Sequence, residues 1–198
     1  MTVEYEGIRP DTQRMLDGQE SRQVDFKRGP EGLDPEDLVA FANAAGGTIL
    51  VGVDEATTDQ GLQRGRVVGC EISDQVRVGF LNKASSCRPP VEIAVAIENL
   101  ATQPFYRLDI PEGSRKPYCT EKGTYKIRSD GRNVAIDPNM MTTLILERET
   151  EQFVRRFQAA AEAVIRNLSE MEARLGAKLS AIESVAEKLP ATDREEGA

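Results

Sequence analysis

Asp34-Pro35-Glu36-Asp37-Leu38-Val39-Ala40-Phe41-Ala42-Asn43-Ala44-Ala45-Gly46-Gly47-Thr48-Ile49-Leu50-Val51-Gly52-Val53 is the stretch that decides the fold. Asp34 and Pro35 stand in the order of an N-cap and first helical position, and Glu36 and Asp37 place acid in the first turn, where it complements the helix dipole. Leu38, Val39, Phe41, Ala42 and Ala45 then form one apolar helical face, which Gly46-Gly47 ends. Thr48 to Val53 follows as a β-branched and aliphatic run, the pattern of a strand buried on both faces. Working outward, Arg22 to Lys27 alternates, with Val24 and Phe26 on one side and Gln23, Asp25 and Lys27 on the other, which predicts a strand with one wet face. Val91 to Ile97 and Phe105 to Ile110 also alternate. Thr124 to Arg128 and Arg132 to Ile136 flank Ser129-Asp130-Gly131, a hairpin signal. Ser73 to Ser85 spaces Val76, Phe80 and Ala84 as a helix would, with Gly79 against it. Strands mixed with a few helices predict an α+β fold with a mixed sheet and packed helices.

With 198 residues there is room for one domain and an appendage. Hydrophobic residues at 39% and charged residues at 29% fit a globular chain. No internal repeat or low-complexity stretch occurs. Neither a signal segment nor a run of about 18 uncharged apolar residues is present, so the expectation is a cytoplasmic protein that meets no membrane. Cys70, Cys87 and Cys119 are widely spaced and no histidine accompanies them, which leaves no disulfide framework and no zinc-ligand pattern. Without histidine, any catalysis has to rest on carboxylates, lysine or a metal.

The net charge of −8 opposes a chain that binds polyanions by charge alone, but the charges are segregated. Residues 1–60 hold 5 basic and 13 acidic side chains, 64–88 hold 5 against 2, and 107–132 hold 7 against 4. Arg64, Arg66, Arg115, Lys116, Lys122, Lys126, Arg128 and Arg132, interleaved with Tyr118 and Tyr125, make the best nucleic-acid surface: cations for phosphates and rings for stacking.

Asp137-Pro138 is a second N-cap and first-turn pair, and the next proline is Pro190, so a single helix of about 50 residues is expected. Val154, Ala161, Leu168, Leu175, Ile182 and Leu189 recur every seventh residue. Phe157, Val164, Met171 and Val185 fill the second heptad position, interrupted only by Lys178. That repeat predicts a coiled coil, and Ile165 and Leu179 widen the seam on one flank, toward more than two strands or contact with the body of the domain. The alternative is an amphipathic lid folded back on its own domain. The domain reading is therefore an N-terminal arm at 1–14, a body at 15–147, a coiled-coil helix at 148–189 and a disordered tail at 190–198.

Two blocks, Glu20-Ser21-Arg22-Gln23-Val24-Asp25-Phe26-Lys27-Arg28 and Ala40-Phe41-Ala42-Asn43-Ala44-Ala45-Gly46-Gly47-Thr48-Ile49-Leu50-Val51-Gly52-Val53-Asp54-Glu55, together resemble the Schlafen-type AlbA nucleic-acid-binding domain. Arg88-Pro89-Pro90, Ser114-Arg115-Lys116-Pro117-Tyr118 and Tyr125-Lys126-Ile127-Arg128-Ser129-Asp130-Gly131 follow in the order of its later landmarks, so the likeness spans roughly residues 15 to 147. The resemblance implies an α+β fold and handling of RNA or DNA. In the animal Schlafen branch it further implies an endoribonuclease that uses three carboxylates and Mg²⁺ or Mn²⁺. Carried over residue by residue, those carboxylates are Glu20, Asp25 and Glu55, with Asp54 beside the last. Asp25 stands where the family usually has glutamate, and Glu55 where it usually has aspartate, which alters the reach of each by one methylene.

In chemical terms, a carboxylate cluster holds a hard cation that activates water, and Lys27, on the same strand face as Asp25, would steady a phosphate. Glu20 has to sit in a turn before the strand to converge with Asp25. The other reading makes Asp25 and Lys27 a solvent face and Asp54-Glu55 an acidic turn. Asn43 and Gly46-Gly47 read as a helix end, the reverse of a phosphate loop, in which glycines precede the helix. Three functions follow from the sequence: a homo-oligomeric nucleic-acid-binding protein, a metal-dependent endoribonuclease, or a non-enzymatic scaffold whose copy number the coiled coil sets.

Overall fold

The computed structural model describes residues 3–18, 20–57, 61 and 63–186, with side chains to residue 184. Two compact units make up the chain, Met1–Arg148 and Glu149–Ala198. Among the described residues no helix is long and apolar enough to cross a membrane.

The first unit is α+β. Strands β1 (Val3–Glu4), β2 (Val24–Lys27), β3 (Gly47–Val51), β6 (Ala94–Glu98) and β7 (Phe105–Ile110) form a mixed sheet in the order β1-β6-β7-β3-β2. Helix α2 (Pro35–Asn43) carries the chain from β2 to β3, which pair in parallel, and β7 lies antiparallel to both β3 and β6. Helix α1 (Pro10–Asp17) follows β1, and α3 (Asp74–Ser86) precedes β6. Two hairpins complete the unit: β4 (Val53–Thr57) with β5 (Gln63–Val67), and β8 (Lys126–Ser129) with β9 (Arg132–Ala135).

Strand β3 is central because its sequence is apolar on both sides. Ile49 and Val51 enter one core with Leu38, Val39, Phe41, Phe80 and Tyr106, while Leu50 enters a second with Leu16, Phe26, Val53 and Phe105. Caps fall where side chains supply them. The carboxylate of Asp37 accepts the Asp34 amide at 2.8 Å, and Ser73 Oγ accepts the Val76 amide at 3.3 Å. Gly46 closes α2 at φ +72°, and a Cβ there would lie 2.5 Å from the Ile110 carbonyl oxygen. The apolar run expected to continue to Val53 breaks at Gly52, whose φ of +103° no β-branched residue tolerates. Val53 thereby begins the separate hairpin β4–β5.

Residues 1–14, read from sequence as an arm, contain β1, which pairs with β6, and the first turns of α1. Glu98, fully buried, ties this segment to the sheet by accepting hydrogen bonds from Arg9 Nε at 2.7 Å and Thr12 Oγ1 at 2.9 Å. Arg107 donates to Asp11 at 2.6 Å and to Asp109 at 2.8 Å, and is held inside this network.

Helix α4 (Pro138–Ala186) runs 49 residues. Its cap is Asp137, whose Oδ1 accepts the amides of Asn139 at 2.8 Å and Met140 at 2.9 Å. In the second unit the large apolar heptad side chains lie open, from 44% exposed at Val154 to 65% at Phe157 and Ile182. Val185 and Leu189, with the expected tail at 190–198, lie outside the described side chains.

Candidate nucleic-acid interface

The site is assembled where β2 meets both hairpins. Asp25 was expected on a wet face, but it is only 3% exposed. The two-residue turn Asp130-Gly131, with φ of 47° and 77°, folds β8–β9 into a tight hairpin. Arg128 of β8 then reaches the outer side of β2. It donates to Asp25 Oδ1 at 2.6 Å, to the Ser21 and Val24 carbonyls at 3.2 and 3.1 Å and to Asn133 Oδ1 at 3.1 Å, and its guanidinium lies 4.9 Å from the centre of the Phe41 ring. Arg128 is therefore corrected from a surface cation to the buried clamp between hairpin and sheet.

Lys27 is corrected as well. Its Nζ stands 2.9 Å from Asp25 Oδ2 and 3.3 Å from Asp37 Oδ1, locked between two carboxylates rather than offered to a phosphate. Burial works against its charge, but Asp25 and Asp37 more than offset that and raise its pKa above the usual lysine value. The contact with Oδ2 is an ion pair without hydrogen-bond alignment, so this buried oxygen has no directed donor. Asn133 Nδ2 donates to Asp37 Oδ1 at 2.7 Å and closes the network.

Glu20 lies in the loop ahead of β2, and its Oε1 accepts the Phe26 amide at 2.8 Å. Gly131 packs against its backbone, with space for a Cβ only 3.5 Å from the Glu20 carbonyl oxygen. Burial first, then the charges of Asp25 and Glu55, raise the Glu20 carboxyl to about 7, against the lowering effects of the Phe26 amide and Arg128. Glu20 thus feels the charges of both Asp25 and Glu55. Even so, among the described residues no three such side chains converge on a point that would hold a metal ion. Asp25 is committed to Arg128 and Lys27, and Asp54 to Arg28 at 3.2 Å and Arg66 at 3.3 Å. The donor set as placed does not fit Mg²⁺ or Mn²⁺, which require free oxygen ligands.

The raised Glu20 carboxyl has a consequence for stability. Folded protein takes up a proton below about pH 7 that the unfolded chain takes up only near 4.5, so stability should rise as pH falls through this window. With the side chain half-buried and its charge partly screened, the gain is on the order of 1–2 kcal/mol. Urea unfolding at pH 8 and pH 5.5 is expected to show this gain in the wild type and to lose it in Glu20→Gln.

The remaining sequence candidates separate into three groups. Tyr118 is buried: its amide donates to Asn43 Oδ1 at 2.7 Å and its hydroxyl accepts the Arg115 amide at 3.3 Å, so it is corrected from a stacking platform to part of the core. Asn43 also donates to the carbonyls of Tyr118 and Lys126, both at 2.8 Å. That role was missed in sequence, where the sole signal was a polar residue next to the apolar face of α2. Lys116 and Lys126 are engaged by Glu112 at 2.6 Å and Glu36 at 3.8 Å. Arg64, Arg115, Lys122 and Arg132 are exposed and have no ion-pair partner among the described residues. Tyr125 is 36% exposed. Lys122 lies near Asp34 and Glu36, at the end of the β8–β9 hairpin opposite its turn.

Arg64 and Arg66 lie on β5, Arg28 follows β2, and Arg132 lies at the β8–β9 turn, where Arg22 pairs with Asp130. Arg28, Arg66 and Arg22 are held only by exposed ion pairs, to Asp54 and Asp130, which are worth little and exchange readily for phosphate.

A family model described as Schlafen, AlbA_2 matches residues 20–137. No curated protein matches the chain. Among solved structures, the N-terminal domain of a RecG-related protein from Nitrosomonas europaea is similar, at 26% identity and a TM-score of 0.40, over 52% of this chain and 69% of that one. The DIP2311 protein from Corynebacterium diphtheriae is 18% identical with a TM-score of 0.44, over 63% of this chain and 29% of that one. By the family match, which takes in more than half of its residues, the chain belongs to the Schlafen AlbA_2 family.

Proposed function

We propose that the domain binds nucleic acid, RNA or DNA, through the exposed arginines of its two hairpins, and that α4 joins copies of the chain so that their weak contacts add. The observation that carries this is the meeting of two hairpins and β2 around one loop, with Arg64 and Arg132 exposed and unpaired among the described residues. A patch of this size on an acidic chain gives each domain few phosphate contacts, and linked domains convert later contacts into intramolecular ones. If about four phosphates are neutralised, affinity for an RNA or DNA fragment should fall roughly 100-fold between about 50 and 200 mM salt. Binding that ignores salt, or no binding at the lower salt, would remove the proposal.

A second reading, a metal-dependent endoribonuclease using Glu20, Asp25 and Glu55, is favoured by one observation, the raising of the Glu20 carboxyl to about 7, first by burial and then by the charges of Asp25 and Glu55. It requires Asp25 to leave Arg128 and Lys27. Incubation of structured RNA with Mn²⁺ tests it: cleavage lost in Asp25→Asn and in Glu20→Gln supports the reading, and cleavage that survives either substitution ends it. The scaffold reading has no comparable observation in its favour.

A further inference from the structure

The exposed seam of α4 says more than that a partner covers it. Along the described helix, the first core position of the heptad holds Val154, Ala161, Leu168, Leu175 and Ile182, and the second holds Phe157, Val164, Met171 and Lys178. Two of these are anomalous in opposite ways. Ala161 is the smallest core residue, and Lys178 is the only charged one. Elsewhere charged residues stay off the two core positions, and Arg155 pairs with Glu151 at 3.7 Å and Arg166 with Glu162 at 3.8 Å.

In a parallel, in-register pair each core position meets its own copy. Lys178 would face the partner's Lys178, placing like charges together in an apolar seam. Ala161 would face the partner's Ala161 and leave a gap that no neighbour fills. Both anomalies would be defects, nearly five turns apart, with nothing to offset either.

Antiparallel pairing sets the first core position of one helix against the second of the other. We infer that α4 pairs antiparallel with a second copy of this chain, in the register that places Ala161 against the partner's Lys178. The same register seats Phe157 on the partner's Ile182, Val164 on the partner's Leu175 and Leu168 on the partner's Met171. The small residue leaves room for the long one, and the lysine stem crosses the alanine methyl to carry its ammonium into water. A two-fold axis between Leu168 and Met171 repeats every layer, so the interface is self-complementary and closed. A shift of one heptad in either direction sets Lys178 against Val154 or Leu168, so only this register joins the two anomalies.

This inference rests on the self-association proposed above and goes beyond it by assigning direction and register. Spin labels introduced in the full chain by unnatural amino-acid incorporation leave the three cysteines untouched. Ser169 and Gln152 suit them, since both sit on the outer face of the helix. With a rise of 1.5 Å per residue, the two copies of Ser169 are expected within about 20 Å of each other and those of Gln152 about 50 Å apart. The same short distance at both sites would overturn the antiparallel register and leave self-association standing. A monomeric mass by light scattering, with no dipolar coupling at either site, would overturn both.

Discussion

Replacing Arg128 with alanine is expected to cost about 3–5 kcal/mol of folding stability, a large share of what a domain of this size possesses. Its side chain is 2% exposed and that of Asp25 is 4% exposed, so the pair has no water to fall back on. Truncation leaves Asp25 with Lys27 alone and removes the donors that satisfy the Ser21 and Val24 carbonyls and Asn133. The hairpin would lose its clamp on β2. Urea denaturation should show a lower midpoint with an unchanged slope. Asp25→Asn in the same background should restore part of the loss, because it removes the uncompensated charge while keeping the shape. A loss below about 1 kcal/mol in Arg128→Ala would mean that the buried network does not anchor the site.

The second large effect concerns affinity. Introducing Leu168→Glu and Leu175→Glu places charge in the middle of the α4 seam, where both side chains are now about half exposed, at 56% and 57%. Glutamate is as good a helix former as leucine, so the helix itself should persist. Self-association should fail, and with it the avidity, so affinity for a long nucleic acid should drop by roughly 10²–10⁴-fold while thermal unfolding of the Met1–Arg148 unit stays in place. Mass by light scattering, read beside a binding titration, checks both halves. An unchanged affinity in a monomeric variant would show that copies do not act together.

Much of the fold was legible because it is written locally. Asp34-Pro35 announces α2, the β-branched run after Gly47 announces a strand buried on both faces, and Asp130-Gly131 fixes the hairpin that bears Arg128. Strand β1 was missed because two residues carry no period, and α1 because Pro10–Asp17 is polar apart from Met15 and Leu16. The site was less legible for a different reason. Alternation along Arg22–Lys27 says that β2 has two faces, but whether the polar face is wet depends on Arg128, 103 residues downstream. Lys27 looked like a phosphate ligand for the same reason, since the Asp37 that holds it is capping a helix in the sequence pattern. Charge counts likewise located a basic stretch at 107–132 without separating Arg107 and Arg128, which serve internal networks, from Arg132, which faces outward.

Nucleic-acid contact through the exposed arginines of the two hairpins is tested most directly by comparing the salt dependence of binding in two double variants of the full chain. Arg64→Ala with Arg132→Ala removes one exposed cation from β5 and one from the β8–β9 turn. Arg115→Ala with Lys122→Ala removes the same charge away from that turn. The first pair should weaken binding and reduce the slope of log affinity against log salt by about 2, while the second leaves that slope close to the wild-type value. Equal slopes in the two variants, or a larger loss in the second, would contradict a binding surface built from these hairpin arginines.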